Sequence, residues 1–520
     1  MKAFRRFIWA CEESNVSFGL WLGAALSIIF VRDNLESLVI RHSFSSINSF
    51  HLLHVPVFFI TLLLSIIILL CFITKEDIVK ISKVSLIFFA VIIFPAAVDY
   101  LISILTKTSL SYGYVQTNIS QAFINFFNPF FNIPEITYGL RLEVFIVSIF
   151  SFSYVFLKRN NLPLSLLAGF LVFFLCFGYG SLPGIIVSGF IKFVTFLFYI
   201  FHSITAGKTI SAVIDERVVV ILELIFCVFV ILTWFWLYNS RKCLALIKNF
   251  RYARVLHYFI MAMIGLVLYF AEIKETNVLA VVRVIALFFG LFFACQFSAV
   301  LNDIIDIDCD RLSNNSRPLI TGALTKEEYS KVGVVYLALS LLFSFWVSDT
   351  CFMINLFFIV IYFLYSALPF KLKRNFISGS LILGLQALLA VLLGQFSFKG
   401  PGAAVSFSPQ IAWLVFLVFC LSSNIKDLKD SEGDRHSDVY SLPVIFGEKK
   451  SRKIIGFFVF ISYVLVPVFL NKFFYDFRIA VLSFLFGLIN YQYIKKQDSQ
   501  ERLVFIMYFV YVLIVFLFLL

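Results

Sequence analysis

Charged residues are scarce in this chain. Asp, Glu, Lys and Arg make up 14% of its 520 residues, whereas hydrophobic residues make up 61%. Soluble globular proteins carry about 25% charged residues, so this composition excludes a water-soluble protein. Apolar runs long enough to cross roughly 30 Å of hydrocarbon recur along the chain, with short polar segments between them. The sequence therefore predicts an all-α fold, a polytopic transmembrane helical bundle that is integral to a membrane.

Cysteine is also infrequent, and the pattern of the nine cysteines excludes two kinds of site. None of them forms a CxxC pair, and most lie inside apolar runs, where a thiol packs as a small hydrophobic group. A disulfide framework and a zinc site are therefore not expected. The net charge of +12 does not indicate a nucleic-acid partner, because the basic residues stand singly or in pairs beside apolar runs. That arrangement is typical of a protein whose surroundings are membrane lipids.

The C-terminal half contains nine apolar segments, which predict a complete helical bundle over residues 241–520. The polar stretch from Asn239 to Arg251 marks its boundary with a separate N-terminal multi-span membrane domain, residues 1–240. The nine segments lie at about 255–271, 279–301, 332–347, 352–368, 377–395, 410–424, 454–470, 476–493 and 503–520.

The N-terminal domain is predicted to contribute six or seven further membrane helices. Its first apolar run is only about 15 residues long before Arg32 and Asp33 interrupt it, which predicts an interfacial or re-entrant segment. The sequence indicates neither a role nor a partner for this domain. Its apolar runs lie near 17–31, 52–74, 82–104, 141–157, 162–180, 183–204 and 217–238.

Basic residues are distributed unequally between the connections of the C-terminal bundle. If the segment before residue 255 is cytoplasmic, the connections on its side carry 22 Lys and Arg residues, against four on the other side. The positive-inside bias then places connections 302–331 and 425–453 on the cytoplasmic face. The expected location is the cell membrane, with both connections facing the cytoplasm.

Both of these connections begin with a cluster of acidic residues. Carboxylates so close to a bilayer core are costly unless a cation compensates them, so each cluster is a candidate functional site. On a helix, Asn302, Asp306 and Asp310 share one face, and Asp430 and Asp434 repeat the i, i+4 spacing. Amide and carboxylate oxygens suit Mg²⁺, which commonly shares its coordination with substrate phosphates. Two such faces across a cavity could hold Mg²⁺ and a diphosphate.

Two further carboxylates of the first cluster, Asp303 and Asp308, lie off this face and are expected to have structural or supporting roles. For an isolated carboxylate at a membrane edge, helix capping or pairing with a nearby Lys or Arg is the simpler explanation. Two clusters with matching spacing on the same membrane side instead favour a shared metal site.

The residues around the two clusters resemble a known family. Residues 302–310 read NDxxDxxxD and are followed at 315–319 by Asn-Ser-Arg-Pro-Leu; residues 426–435 read KDLKDSEGDR and are followed at 441–443 by Ser-Leu-Pro. The paired motifs, their order and the nine helices resemble the UbiA superfamily of intramembrane prenyltransferases over about 250–520. The resemblance implies Mg²⁺-dependent transfer of a prenyl group from an isoprenyl diphosphate donor to a hydrophobic aromatic or lipid acceptor, with release of diphosphate.

The resemblance also implies roles for individual residues. It assigns catalysis to Asp306, Asp430 and Arg317, whose guanidinium is suited to bidentate contact with phosphate. The implied metal ligands are Asn302, Asp306, Asp310, Asp430 and Asp434. The implied substrate-binding residues are Arg254, Arg317, Tyr365, Lys371, Lys373 and Arg374.

Other functions remain open from the sequence. Phosphoribosyl transfer to a polyprenyl phosphate uses similar motifs, but the His-Pro and Lys typical of that branch are replaced here by residues 312–316. A transporter would distribute acids through the membrane depth, and Asp99 and Glu223 are candidates for that in the N-terminal domain. The C-terminal acids gather at one membrane edge, which favours diphosphate chemistry. Residues 1–240 alternatively form an interaction or scaffold module.

Overall fold

The computed structural model of the chain contains two compact units. Residues 1–244 with 277–282 form unit 1, and residues 245–276 with 283–520 form unit 2. Among the described residues the secondary structure consists of helices, turns and isolated bridges, so the predicted all-α fold is confirmed. The structure describes residues 2–41, 49–106, 119–127, 136–180, 189, 216–272, 278–313, 316–367, 369–397, 407–436, 439–470, 477–496 and 499–519.

Unit 1 is a bundle of apolar helices. In the part of this unit that the structure describes, six segments are long and apolar enough to cross a membrane. They coincide with six of the seven predicted runs, and the remaining run, 183–204, lies outside the described residues. The helices are α1 (Lys2–Glu13), α2 (Phe18–Arg41), α3 (Ser49–Thr74), α4 (Ile78–Phe89), α5 (Ile93–Thr106), α6 (Ile119–Phe127), α7 (Tyr138–Arg159), α8 (Leu162–Gly180) and α9 (Glu216–Tyr238).

Helix α2 continues through the charged residues that follow its first apolar run. The helix does not stop at Arg32 but continues to Arg41, and Phe18–Leu38 is long enough to span a membrane. Arg32 is accommodated because its Nε lies 2.8 Å from Glu36 Oε1 and its Nη1 lies 2.9 Å from Glu143 Oε2 on α7. Arg32 and Asp33 therefore do not end the helix, because Arg32 pairs with a carboxylate on the next turn and with one on α7. The interfacial or re-entrant placement of this segment stays a prediction.

The other intramembrane acids of unit 1 make contacts between helices. Glu223 Oε2 lies 2.9 Å from His54 Nδ1, which joins α9 to α3. Asp99 Oδ1 accepts a hydrogen bond of 2.9 Å from the Gly139 N–H, which joins α5 to α7. Both carboxylates thus have partners within the bundle, as buried polar groups in an apolar environment require.

In the described residues from 252 onward, nine long helices coincide with the nine predicted apolar segments. They belong to unit 2, except for the first residues of α12, 278–282, which belong to unit 1. Helix α10 (Ser240–Lys248) precedes them and includes the sequence boundary between the units. The long helices are α11 (Tyr252–Glu272), α12 (Val278–Ile305), α14 (Lys326–Val347), α15 (Asp349–Ser366), α16 (Phe376–Phe396), α17 (Pro409–Ser422), α20 (Glu448–Phe469), α21 (Phe477–Ile494) and α22 (Glu501–Leu519). The short helices between them are α13 (Ile307–Ser313), α18 (Asp427–His436) and α19 (Leu442–Phe446).

Glycine allows α11 and α16 to pack unusually close together. A Cβ atom on Gly265 would lie 2.0 Å from the Val391 carbonyl oxygen, and one on Gly394 would lie 1.8 Å from the Ala262 carbonyl oxygen. Small residues at a crossing let two membrane helices approach until their backbones touch. The contact fixes α11, which carries Arg254 near its start, against α16.

A short backbone pairing ties together two connections of unit 2. Asn375 and Tyr440 form a parallel bridge, in which the Tyr440 N–H donates to the Arg374 carbonyl at 2.6 Å. The Phe376 N–H donates in turn to the Tyr440 carbonyl at 3.3 Å. The segment before α16 is thereby held beside the segment that follows the acidic helix α18.

Candidate active site

Both acidic clusters face one cavity in unit 2. The cavity has a volume of about 330 Å³, and its lining includes Asn302, Asp306 and Asp310 from the first cluster. Asp427 and Asp434 line it from the second cluster, on α18. The backbone of Asp430 belongs to the same helix, but its side chain lies outside the described part of the structure. Two motifs that are far apart in the sequence therefore meet at one space.

The first cluster keeps its helical spacing across a break in the helix. Helix α12 ends at Ile305 and α13 begins at Ile307, with Asp306 between them. The Asp306 N–H still donates to the Asn302 carbonyl at 2.8 Å, and the Asp310 N–H donates to the Asp306 carbonyl at 2.9 Å. Because the i, i+4 bonds continue, all three side chains stay on the cavity side.

Basic side chains neutralise the carboxylates of the first cluster. Asp306 is paired with Lys373, and Lys371 Nζ lies 3.9 Å from Asp306 Oδ1. Asp310 Oδ1 lies 3.3 Å from Arg317 Nη2. Asp306 and Asp310, the charged metal-ligand candidates of this cluster, thus each have a cation beside them. The cation offsets the cost of holding a carboxylate at a membrane edge.

Asp303 lies behind the cavity wall and holds two arginines in place. Its side chain is 1% exposed and pairs with Arg317 and with Arg251, whose Nη2 lies 2.9 Å away. Asn249 Nδ2 and the Tyr329 hydroxyl each donate to Asp303 Oδ2 at 3.0 Å. These contacts occupy the charge and both oxygens of Asp303. They hold Arg251 and Arg317 in position at the cavity, which both arginines line.

Two tyrosines on α15 each accept a hydrogen bond from a cation of the cavity wall. Arg254 Nη1 donates to the Tyr362 hydroxyl at 2.5 Å, and its guanidinium carbon lies 5.6 Å from the centre of that ring. Lys426 donates to the Tyr365 hydroxyl, with Nζ 5.0 Å from the ring centre. Since the tyrosines are one helical turn apart, they present the two cations to the same space.

The arginines of the wall influence one another's charge. Burial, followed by the nearby Arg251 guanidinium, lowers the pKa of Arg317 to about 10, so Arg317 remains protonated at neutral pH. Burial and the Arg254 guanidinium likewise lower the pKa of Arg251. Like charges that are held close together favour the binding of an anion between them.

Some of the predicted substrate-binding residues line the cavity and others do not. Lys371 and Arg374 are not among the lining residues. Lys371 pairs with Asp306, and the Arg374 side chain is exposed while its carbonyl accepts a hydrogen bond from the Tyr440 N–H. Asn315, part of the resemblance, lies outside the described residues. Those that line the cavity are Arg254, Arg317, Tyr365 and Lys373.

The structure adds cavity residues to which the sequence assigned no role in the site. Arg251 had a usable signal in its basic connection, and Lys426 and Ser441 lie in the motif segments that carry the family resemblance. Glu501, the first residue of α22, had no signal in the sequence because the segments around it carry no motif. The added residues that line the cavity include Arg251, Tyr362, Asn424, Lys426, Ser441 and Glu501.

The oxygen-rich lining of the cavity suits a hard divalent cation. Carboxylate and amide oxygens are the ligands that Mg²⁺ prefers, and both clusters supply them. Among the described side chains, no three Asp, Glu, His or Cys residues form a group that could hold a metal ion. Mg²⁺ takes much of its coordination from water and substrate phosphates, so it needs few protein oxygens. The five-residue ligand set stays a prediction.

Comparison with known proteins gives a consistent match for the C-terminal half. Residues 258–513 match the model of the UbiA prenyltransferase family. A digeranylgeranylglyceryl phosphate synthase from Methanocaldococcus jannaschii is 30% identical over 192 residues, covering 36% of this chain and 64% of the relative. A protein of the same name from Pyrococcus horikoshii is 28% identical over 180 residues, covering 35% of this chain and 62% of the relative. The match thus covers less than two thirds of each of these relatives.

Solved structures give a weaker match to the same half. A UbiA homolog from Archaeoglobus fulgidus bound to GPP and Mg²⁺ aligns with a TM-score of 0.43 and 21% identity, covering 52% of this chain and 96% of that one. A structure of digeranylgeranylglyceryl phosphate synthase aligns with a TM-score of 0.39 and 24% identity over the same shares.

Proposed function

We propose that this chain, whose residues 258–513 match the model of the UbiA prenyltransferase family, transfers a prenyl group from an isoprenyl diphosphate to a hydrophobic acceptor. Diphosphate is the second product. The reaction takes place at the edge of the membrane, in the cavity of unit 2, and depends on Mg²⁺. Both acidic clusters face the cytoplasm of the cell membrane in this proposal, which follows the distribution of Lys and Arg.

One observation carries the proposal. The acidic faces of the two motifs line a single cavity together with Arg251, Arg254, Arg317, Lys373 and Lys426. An ionised diphosphate needs cations around its oxygens, and a divalent metal that bridges to it needs carboxylates. A cavity lined only by cations or only by carboxylates could not bind both the diphosphate and the metal. The mixture of the two at a membrane edge is what an amphiphile with a diphosphate head requires.

The side chains of the chain itself bind and orient the donor. Arg317 and Arg251, held by Asp303, offer planar donors to phosphate oxygens, and Lys373 offers a point charge. Mg²⁺ supplies neutralisation of the charge that develops on the departing diphosphate. The C1–O bond of the donor breaks with its electron pair on diphosphate, and the acceptor attacks C1 and loses a proton. The reaction requires that water be kept from the allylic cation, because water would otherwise capture it.

We further propose a lipid acceptor with a glycerol phosphate head. Two of the relatives that this chain matches are named digeranylgeranylglyceryl phosphate synthase, and that name describes such a product. Arg251, Arg254 and Arg317 lie at the cavity wall, where a guanidinium can bind the phosphate of such an acceptor in addition to the diphosphate of the donor.

The decisive experiment uses the purified full-length protein with radiolabelled isoprenyl diphosphates of several lengths. Labelled lipid is expected with Mg²⁺ and a glycerol phosphate lipid, and none is expected after the metal is chelated. Asp306→Ala should abolish the product because the residue lies on the motif face of the cavity. Asp308→Ala is the matched control, since the Asp308 side chain is 89% exposed and pairs with the exposed Arg311 at the surface. Turnover by Asp306→Ala, or unchanged turnover without divalent metal, would contradict the proposal.

A further inference from the structure

Ser441 is buried at the wall of the cavity and its backbone is fixed on both sides. The residue is 2% exposed and lines the cavity next to Val439 and Phe376. The preceding residue, Tyr440, is held by the parallel bridge to Asn375. The following residue, Leu442, has its carbonyl bound by the Ser451 hydroxyl at 2.7 Å. The position of the Ser441 side chain is therefore set by the fold.

The hydroxyl of Ser441 does not cap the helix that it precedes. At comparable positions, the side chains of Thr325 and Ser348 accept a hydrogen bond from a backbone N–H of the helix that follows. Ser441 has the same extended backbone, with φ −75° and ψ 162°, yet makes no such bond. The local sequence gives the reason, since Pro443 has no N–H and the Val444 N–H is bound by the Ser441 carbonyl at 3.0 Å.

The hydroxyl also has no other partner in the described part of the protein. Ser441 Oγ is among the buried side-chain atoms without a hydrogen bond there. A buried hydroxyl without a partner is costly, and folded proteins almost always satisfy such groups. Ser380, another serine of the cavity wall, shows the usual case, because its hydroxyl donates to the Phe376 carbonyl at 2.7 Å. A free hydroxyl beside an anion-binding cavity points to a ligand as its partner.

We propose that the Ser441 hydroxyl donates a hydrogen bond to an ionised phosphate oxygen of the ligand in this cavity. The inference rests on the proposed function and adds a recognition contact to it. An ionised phosphate oxygen can only accept, so the serine is the donor. The oxygen belongs either to the diphosphate of the donor or to the phosphate of the acceptor, and both sources offer the same chemistry.

The test uses the full-length protein in lipid nanodiscs with Mg²⁺. Calorimetry measures the affinity for inorganic diphosphate, and steady-state assays measure KM for the isoprenyl diphosphate and for a glycerol phosphate lipid. The variants are Ser441→Ala, which removes the hydroxyl, and Ser441→Thr, which keeps it. The matched control is Ser422→Ala, because Ser422 is also a buried serine and its hydroxyl is satisfied by the Val418 carbonyl at 2.8 Å.

A lost hydrogen bond to a charged group should weaken binding roughly 10-fold or more. We expect that loss for Ser441→Ala, affinity within about threefold of wild type for Ser441→Thr, and no change for Ser422→Ala. Weaker binding of diphosphate with a raised KM for the donor identifies the diphosphate as the partner. An unchanged diphosphate affinity with a raised KM for the lipid identifies the phosphate of the acceptor.

Two results would overturn the inference. Ser441→Ala would keep both ligands within about twofold of wild type if the hydroxyl contacts neither of them. Equal losses in Ser441→Thr and Ser441→Ala would show that side-chain size, and not the hydroxyl, matters. A wild-type protein that fails to bind diphosphate with Mg²⁺ would instead contradict the proposed function itself, and that failure is seen before any variant is compared.

Discussion

Asp303 shows how a residue outside the metal-ligand face contributes to the site. It lies within the motif, but the helical spacing turns it away from Asn302, Asp306 and Asp310. Its carboxylate forms ion pairs with Arg251 and Arg317 and accepts hydrogen bonds from Asn249 and Tyr329. The Asp303 side chain is only 1% exposed. A carboxylate with this set of donors orders the arginines before the ligand arrives. We therefore regard Asp303 as a positioning residue for the phosphate-binding side chains.

Replacing this carboxylate by an amide tests the role of its charge. Asp303→Asn leaves Arg251 and Arg317 without their shared counter-charge in a buried position, and we expect a loss of about 3 kcal/mol in the free energy of unfolding. Thermal unfolding of the purified variant measures it. Asp308→Asn is the control, because its pair with Arg311 is exposed and should change stability by no more than about 0.5 kcal/mol. Equal stability of the two variants would show that the Asp303 network is not needed.

Residue patterns in the sequence anticipated part of this site. The i, i+4 spacing indicated that Asn302, Asp306 and Asp310 face one way, and the structure brings them to one cavity. The donors to Asp303 could not be predicted, because they depend on how α10, α12 and α14 pack. Ser441 was noted in the sequence only as part of a motif. The sequence could not show that its hydroxyl lacks a partner, because this depends on the backbone bond from the Val444 N–H to the Ser441 carbonyl.

At the scale of elements, hydrophobic runs were reliable guides to helices. The nine predicted segments of the C-terminal half correspond to nine helices because each run is long, apolar and bounded by polar residues. The breaks were not predictable in the same way. Asp306 separates α12 from α13, which no residue pattern in the sequence indicated. Helix α2 continues through Arg32, which pairs with the distant Glu143 on α7.

The crossing of α11 and α16 gives a prediction at this scale. Gly394→Ala places a methyl group where the Ala262 carbonyl oxygen would be 1.8 Å away, so the helices must separate. We expect a loss of about 2 kcal/mol or more in the free energy of unfolding, as for an overpacked core. Thermal unfolding in detergent measures it.

The control for this prediction is another glycine on the same helix. A Cβ on Gly379 would lie 3.7 Å from its nearest neighbour, the Cα of Lys373, which is ordinary contact. Gly379→Ala should therefore leave stability unchanged or raise it by up to about 1 kcal/mol, because alanine favours a helix more than glycine. If Gly394→Ala were as stable as Gly379→Ala, the close approach of the two helices would not be required for folding.

At the scale of the whole molecule, the ion pairs named above and the cavity each lie within one unit. Unit 1 pairs its buried Arg32 with Glu36 and Glu143, and His54 with Glu223. Unit 2 holds its acidic and basic cavity residues within one bundle. The family match covers residues 258–513, which belong to unit 2 except for 277–282. The chemistry proposed for the cavity therefore draws on side chains of unit 2 alone.

This arrangement predicts that residues 241–520 suffice for prenyl transfer. The truncated protein should insert, bind inorganic diphosphate with Mg²⁺ and form labelled lipid at a rate within about tenfold of the full-length chain, since no cavity residue is removed. The radiolabel assay and diphosphate calorimetry measure these properties, and Asp306→Ala in the truncated protein gives the background. A truncated protein that unfolds with a normal thermal transition and binds diphosphate, yet makes no product, would assign a catalytic or acceptor-delivering role to residues 1–240.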